Sequence, residues 1–229
     1  MPTPIKPSIP LLENGDCLTQ AEFERRYRAM PQLKKAELIE GMVFMAAALR
    51  ANSHGNPHAL VIAWLGVYYA ATPGTYLADN TTVRLDMDNE PQPDALLRIE
   101  PAAGGRSRIT EDDYIQGAPE LIVEIAASSA AYDMNVKLNA YRRNAVQDYI
   151  VWQMVENRIL WLHLVEGQYE RLEPSQGLIE SPTFPGLVLA VEAMQQRELG
   201  IVLAQLQKSL GTAAHQAYIQ RLASYGRAC

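Results

Sequence analysis

Cysteine is scarce in this chain. Cys17 and Cys229 are the two it has in 229 residues, too few and too far apart for a disulfide framework, and this fits a reducing cytoplasm. Long hydrophobic runs are missing as well. None approaches the roughly 18 apolar residues that a membrane span needs, so no membrane role is expected. There is no basic excess either: the formal net charge is −6. That argues against a protein that coats nucleic acid, where phosphate contacts dominate affinity, but leaves room for an enzyme that gathers Lys and Arg along one groove. No internal repeat, low-complexity tract or separate DNA-reading module such as a helix-turn-helix or zinc finger is present. The proline-rich opening, MPTPIKPSIPLLENGD, lacks a basic-then-apolar leader pattern, and residues 1–17 read as an extended arm.

What is present is ordinary globular composition, 48% apolar and 20% charged, enough for one well-buried α/β core. Thr19-Gln20-Ala21-Glu22 has capping-box spacing and predicts a helix from Gln20 to about Ala29. Glu40-Gly41 between two apolar runs predicts a tight β-hairpin. Asn56-Pro57 opens a helix to about Ala71, with Leu60, Ala63, Trp64, Val67 and Tyr68 on its core face. Strands are expected at Thr75–Ala78, Thr82–Met87 and from Pro93 onward, then a flexible basic loop at Pro101–Ile109. A strand around Leu121–Ile125, a helix from Ala130 to about Asn144 and a strand at Tyr149–Trp152 follow. Next come a hairpin from Arg158 to Leu172, a short strand at Leu187–Leu189, and a helical segment from Val191 to Ser224 that Gly200 and Gly211 divide. This order predicts an α/β (α+β) domain over residues 18–190 with a mixed, mainly antiparallel sheet flanked by helices, and a helical extension over 191–229.

The chemistry concentrates between Ala118 and Val151. Glu124 lies near the far end of an apolar strand, and Asp133 and Lys137 follow four apart on the next helix. Asp94, after Gln92-Pro93, interrupts another apolar run. Two carboxylates on neighbouring strands repel unless a cation neutralises them, and Mg²⁺ is held by one or two carboxylates plus water and phosphate oxygens. Each residue taken alone has a plainer reading: Glu124 as a solvated edge acid, Asp133–Lys137 as an i,i+4 pair. His54 and His58 have zinc-ligand spacing but no third soft ligand, leaving a surface or first-turn role as the alternative. Arg142-Arg143 and Arg106/Arg108 could meet phosphates or simply be solvated.

The combination resembles the PD-(D/E)XK nuclease superfamily with its restriction-endonuclease-like fold, and within it the branch called putative restriction endonucleases. The likeness rests on Glu37-Leu38-Ile39-Glu40-Gly41, Pro93-Asp94, Gly117 to Ile125, the helix bearing Asp133, Lys137 and Tyr141, and Asp148-Tyr149-Ile150-Val151-Trp152. It covers roughly Leu18 to Leu189. The resemblance implies Asp94 and Glu124 as ligands of Mg²⁺ or Mn²⁺. Lys137 would be the active-site lysine, displaced from the place Ala126 holds here, and Glu40 a further acid facing the metal. Asp133 would position Lys137, with Tyr141 one turn further along the same face. Two departures stand near the site: Ala127-Ser128 where relatives carry Ser-Pro, and Gln153 where they carry aspartate. The expected activity is metal-dependent phosphodiester hydrolysis, on DNA. The alternatives are a catalytically silent binding protein that keeps the fold, and hydrolysis of a smaller phosphoester. The C-terminal segment is expected to pack on the domain or on a second copy as a homodimer.

Overall fold

The computed structural model describes residues 9–45, 50–127 and 129–225. Residues 1–8 of the expected arm, Ser128 and Cys229 lie outside the described residues. Helix α1 (Gln20–Arg28) starts at Thr19, whose hydroxyl accepts the Glu22 N–H. The Glu22 carboxylate turns to Arg25 and Arg26, so the capping box is half-formed. Strands β1 (Ala36–Ile39) and β2 (Met42–Met45) form the hairpin. Its turn has positive φ at both Glu40 and Gly41, the conformation whose twist matches paired strands. The arm residues preceding α1 lie along β2: the Gly15 N–H donates to the Val43 carbonyl, and the Val43 N–H to that of Asp16. Phe23, Leu38 and Val43 close a small core between α1 and the hairpin.

A π-helical turn, Ala51–Gly55, runs into α2 (Asn56–Ala71). Strands β3 (Thr75–Asp79), β4 (Val83–Arg84), β5 (Ala95–Ile99), β6 (Arg108–Ile109), β7 (Ile115–Gln116) and β8 (Leu121–Ala126) follow. Helix α3 (Ala130–Tyr132), a π-helical turn (Asp133–Lys137) and α4 (Leu138–Arg143) then run end to end. Strands β9 (Asp148–Gln153), β10 (Arg158–Val165), β11 (Gln168–Arg171), β12 (Leu178–Glu180) and β13 (Val188–Ala190) come next, before helices α5 (Val191–Gln195), α6 (Leu199–Leu210) and α7 (Ala213–Tyr225).

The main sheet has the order β11-β10-β9-β8-β5-β3. All its neighbours are antiparallel except β8 and β9, whose parallel pairing requires the α3–α4 crossover. Every residue of β8 and β9 is buried, because both faces are covered; this explains why they read as nearly unbroken apolar runs. On one face Val123, Ile125, Ile150, Trp152 and Trp161 pack with Trp64 and Tyr68 of α2 and with Val202 and Leu206 of α6. On the other, Leu96, Ile122, Ala126, Tyr149 and Val151 pack with Tyr141. Side chains alternate along a strand, so Glu124 points to this second face, under α3–α4.

Several expectations are corrected. The strand expected at Thr82–Met87 is only Val83–Arg84, because Leu85 and Asp86 donate their N–H groups to the Asn89 carbonyl and turn the chain. The 101–109 loop is held, not flexible. Buried Arg98 donates to the side chain and carbonyl of buried Ser107, and a Cβ on Gly105 would lie 1.8 Å from the Ile99 carbonyl oxygen. The final segment is three helices. It breaks at residues 196–198 and at Gly211, while Gly200 sits inside α6. These breaks reset the helical phase, so Val202, Leu206, Tyr218 and Leu222 are buried and Ile201, Ala213 and Ala217 are exposed. This segment packs on its own domain. Among the described residues, no helix is long and apolar enough to cross a membrane.

Candidate active site

Because Ala95 pairs with Val123 in the antiparallel β5–β8 ladder, Asp94 stands opposite Glu124 on the same face. The Ile125 N–H donates to Asp94 Oδ2 at 2.8 Å and fixes that alignment. Asp94 Oδ1 lies 3.2 Å from both Lys35 Nζ and His54 Nε2. Burial works to raise the Asp94 carboxyl, yet His54, Lys35 and the Ile125 N–H together hold it well below the usual carboxylate range.

Lys137 extends from the π turn into the same space. Its ammonium lies 2.8 Å from Glu124 Oε1 and 2.8 Å from Glu37 Oε1, with Asp133 Oδ1 at 3.9 Å. Tyr141, one α turn beyond Lys137, donates its hydroxyl to Glu124 Oε1 at 2.8 Å. Asp133 is held by the Ser129 hydroxyl at 2.5 Å. Burial pushes the Glu124 carboxyl up, Lys137 pulls it down, and Asp94, Asp133 and Glu37 push it further up. For Lys137, burial favours the neutral amine, but Glu124, Glu37 and Asp133 outweigh it and hold the ammonium charged.

Five of the six residues singled out from sequence therefore lie in one buried cluster: Asp94, Glu124, Lys137, Asp133 and Tyr141. Glu40 does not join it. Its positive-φ position at the hairpin turn sends its carboxylate outward to Arg143. The acid this hairpin delivers is Glu37, which also accepts the Gln92 N–H at 2.7 Å. Glu37 interrupts an apolar strand just as Glu124 does, and that signal could have found it. Lys35 was missed as a site residue, and His54 was weighed for zinc with His58 and not as a partner of Asp94. One comes from an irregular segment and the other from a π turn, and neither leaves a periodic signature. The His54 and His58 ring centroids are 5.8 Å apart and both rings face Asp94, His54 through Oδ1 at 3.2 Å and His58 through the backbone carbonyl at 2.7 Å. Among the basic residues, Arg106 donates to the Ala145 carbonyl, Arg108 to Gln116 and Arg142 to the Gly167 carbonyl.

The cluster fits a hard divalent cation by its chemistry. Four carboxylates (Glu37, Asp94, Glu124, Asp133) face two ammonium groups and one imidazole, so the buried set is short of positive charge. The ligands available are oxygens, as Mg²⁺ and Mn²⁺ prefer. Tyr132 Oη is buried beside these groups without a hydrogen-bond partner, and its ring lies 5.5 Å from Lys137 Nζ. Among the described residues no three His, Cys, Asp or Glu side chains form a ready-made metal centre. Asp94 and Glu124 are two carboxylates facing each other on one side of the sheet, a number with which Mg²⁺ is commonly held alongside water and phosphate oxygens.

Residues 20–192 match the model of the family Uma2, described as "Putative restriction endonuclease". Among solved structures, a protein from Anabaena variabilis, titled a putative nuclease belonging to DUF820, is similar at 13% identity and a TM-score of 0.60. The likeness covers 75% of this chain and 96% of that one, and shows a shared nuclease-like α/β fold. No curated protein matches.

Proposed function

The chain belongs to the Uma2 family of putative restriction endonucleases, and from that premise we propose that it hydrolyses phosphodiester bonds of DNA with the help of Mg²⁺ or Mn²⁺. The observation that carries this reading is the alignment of Asp94 with Glu124 across β5 and β8, with Lys137 Nζ 2.8 Å from Glu124. Asp94 and Glu124 would hold the cation, which when bound lowers the pKa of a water and polarises the scissile phosphate.

The chain's own residues set this up. His54 and the Ile125 N–H keep the Asp94 carboxylate ionised and oriented. Tyr141 and Lys137 fix Glu124, and Glu37 with Asp133 fixes Lys137. In the reaction the oxygen of water forms a new bond to phosphorus as the ester P–O bond breaks. The attacking water loses a proton and the departing oxygen gains one.

The test is nicking of supercoiled plasmid with Mg²⁺ or Mn²⁺. Asp94→Ala should lower the rate on the order of 10²–10³-fold, the usual scale for removing one electrostatic stabiliser. Equal nicking by wild type and Asp94→Ala would reject the assignment. A second reading, a nuclease fold that binds without turnover, draws on one observation: lysines already engage both carboxylates. It predicts no heat of Mn²⁺ binding and no nicking. Nucleotide substrates run beside plasmid separate DNA cleavage from hydrolysis of a smaller phosphoester.

A further inference from the structure

The two lysines at this site are not in equivalent positions. The Lys137 side chain is 3% exposed and its ammonium is shared between Glu37 and Glu124 at 2.8 Å each. Moving it toward a substrate would leave two buried carboxylates uncompensated, a costly state in a low-dielectric interior. Lys35 stands at the rim. Its side chain is 19% exposed, and among the described residues its one ion-pair partner is Asp94, whose Oδ1 lies at 3.2 Å. It comes from the irregular segment between α1 and β1, and its four-carbon stem gives the ammonium reach.

Asp94 does not depend on Lys35. The same oxygen faces His54 Nε2 at 3.2 Å, and Oδ2 keeps the Ile125 N–H at 2.8 Å. Lys35 can leave Asp94 and no buried group loses its last partner. A phosphodiester approaching Asp94 and Glu124 comes from solvent, and of the two lysines that pair with these carboxylates Lys35 is the one exposed to it.

We propose that Lys35, not Lys137, is the lysine that touches substrate, donating from its ammonium to a non-bridging oxygen of the scissile phosphate while Lys137 positions Glu124. This rests on the hydrolytic reading given above. It assigns Lys35 a catalytic role by contact, and confines Lys137 to holding Glu124 and Glu37 in place.

The experiment compares wild type, Lys35→Met, Lys35→Arg and Asp94→Ala in three measurements. These are plasmid nicking with Mn²⁺, affinity for a fluorescent DNA duplex with Ca²⁺ by anisotropy, and thermal melting. Lys35→Met should melt within a few degrees of wild type, bind duplex several-fold more weakly, and nick about 10²-fold more slowly at saturating DNA. Lys35→Arg, which keeps the charge, should recover most of the duplex affinity. Lys35→Met that binds and nicks like wild type, while Asp94→Ala is inactive, overturns the assignment of Lys35 and leaves the nuclease reading intact. A wild type that does not nick overturns the nuclease reading. In that case duplex binding decides for Lys35: unchanged affinity in Lys35→Met overturns its phosphate contact too. Should Lys35→Met prove unfolded, Lys35→Gln carries the same comparison.

Discussion

Glu37 and Glu124 meet at one ammonium: an oxygen of each lies 2.8 Å from Lys137 Nζ, although the two acids come from different sheets. This contact docks the β1–β2 hairpin over the main sheet. Lys137→Met should therefore destabilise the fold by about 3 kcal/mol at neutral pH, the range for breaking a buried pair from one side. Adding Glu37→Gln to that variant should recover part of the loss, because one uncompensated charge is removed. Urea unfolding of the single and double variants measures both; a Lys137→Met midpoint equal to wild type would contradict the packing described.

Burial pushes the Glu90 carboxyl up to about 7 from an ordinary value of 4.5, even though Gln20 donates to it. Below 4.5 the acid is protonated whether the chain is folded or not. Between 4.5 and 7 the unfolded chain gives up the proton while the folded chain keeps it, so stability falls as pH rises through this window. Glu90→Gln should match wild type near pH 4 and exceed it by roughly 3 kcal/mol above pH 7. The measurement is the variant-minus-wild-type difference in unfolding free energy across pH. A difference that does not grow with pH would be evidence against it.

Adding Mn²⁺ should raise the melting temperature of wild type, since a ligand that binds only the folded state stabilises it by mass action. Asp94→Ala should lose most of that increase. Melting curves with and without the metal read this without any assay of cleavage.

Gly105 has no room for a side chain, because a Cβ would lie 1.8 Å from the Ile99 carbonyl oxygen. Gly105→Ala must move backbone, and with it the loop that carries Ser107 to Arg98. A loss of more than about 2 kcal/mol is expected. Chemical denaturation would show it, and a neutral substitution would mean the loop yields easily.

Leu206 of α6 is fully buried in the core shared with Trp64 and Trp161. Leu206→Ala should cost about 2–5 kcal/mol, as truncations in a packed core do. Removing residues 199–225 should leave an unfolded or aggregating chain, checked by circular dichroism and gel filtration. A stable truncated domain would show that the helices are an accessory.

The parts of the site that could be read from sequence are those carried by regular strands. Asp94 and Glu124 stand out because each breaks an apolar run, and strand alternation then places both on one face. Choosing between Glu37 and Glu40 needed the hairpin turn, whose positive φ at Glu40 aims that side chain at Arg143. Lys35 and His54 had no periodic context, and their relation to Asp94 exists only through tertiary packing. In the fold, α2 and the β10–β11 hairpin follow local pattern closely. In the C-terminal segment, expected to divide at Gly200 and Gly211, the first break falls at residues 196–198 instead, and each break resets which residues face inward.

The π turn between Asp133 and Lys137 makes the site sensitive to chain length at a point on the surface. The Leu138 N–H reaches back to the Asp133 carbonyl five residues earlier, so this turn holds one residue more than an α turn would. Asn135, within it, is exposed, and its side chain donates to the Ala131 carbonyl. Deleting Asn135 would remove that extra residue and let the segment relax to ordinary helix, with the turns on either side still in phase. Asp133 and Lys137 would then stand three apart instead of four, so a loss that touches no buried atom would change how this acid meets the buried ammonium.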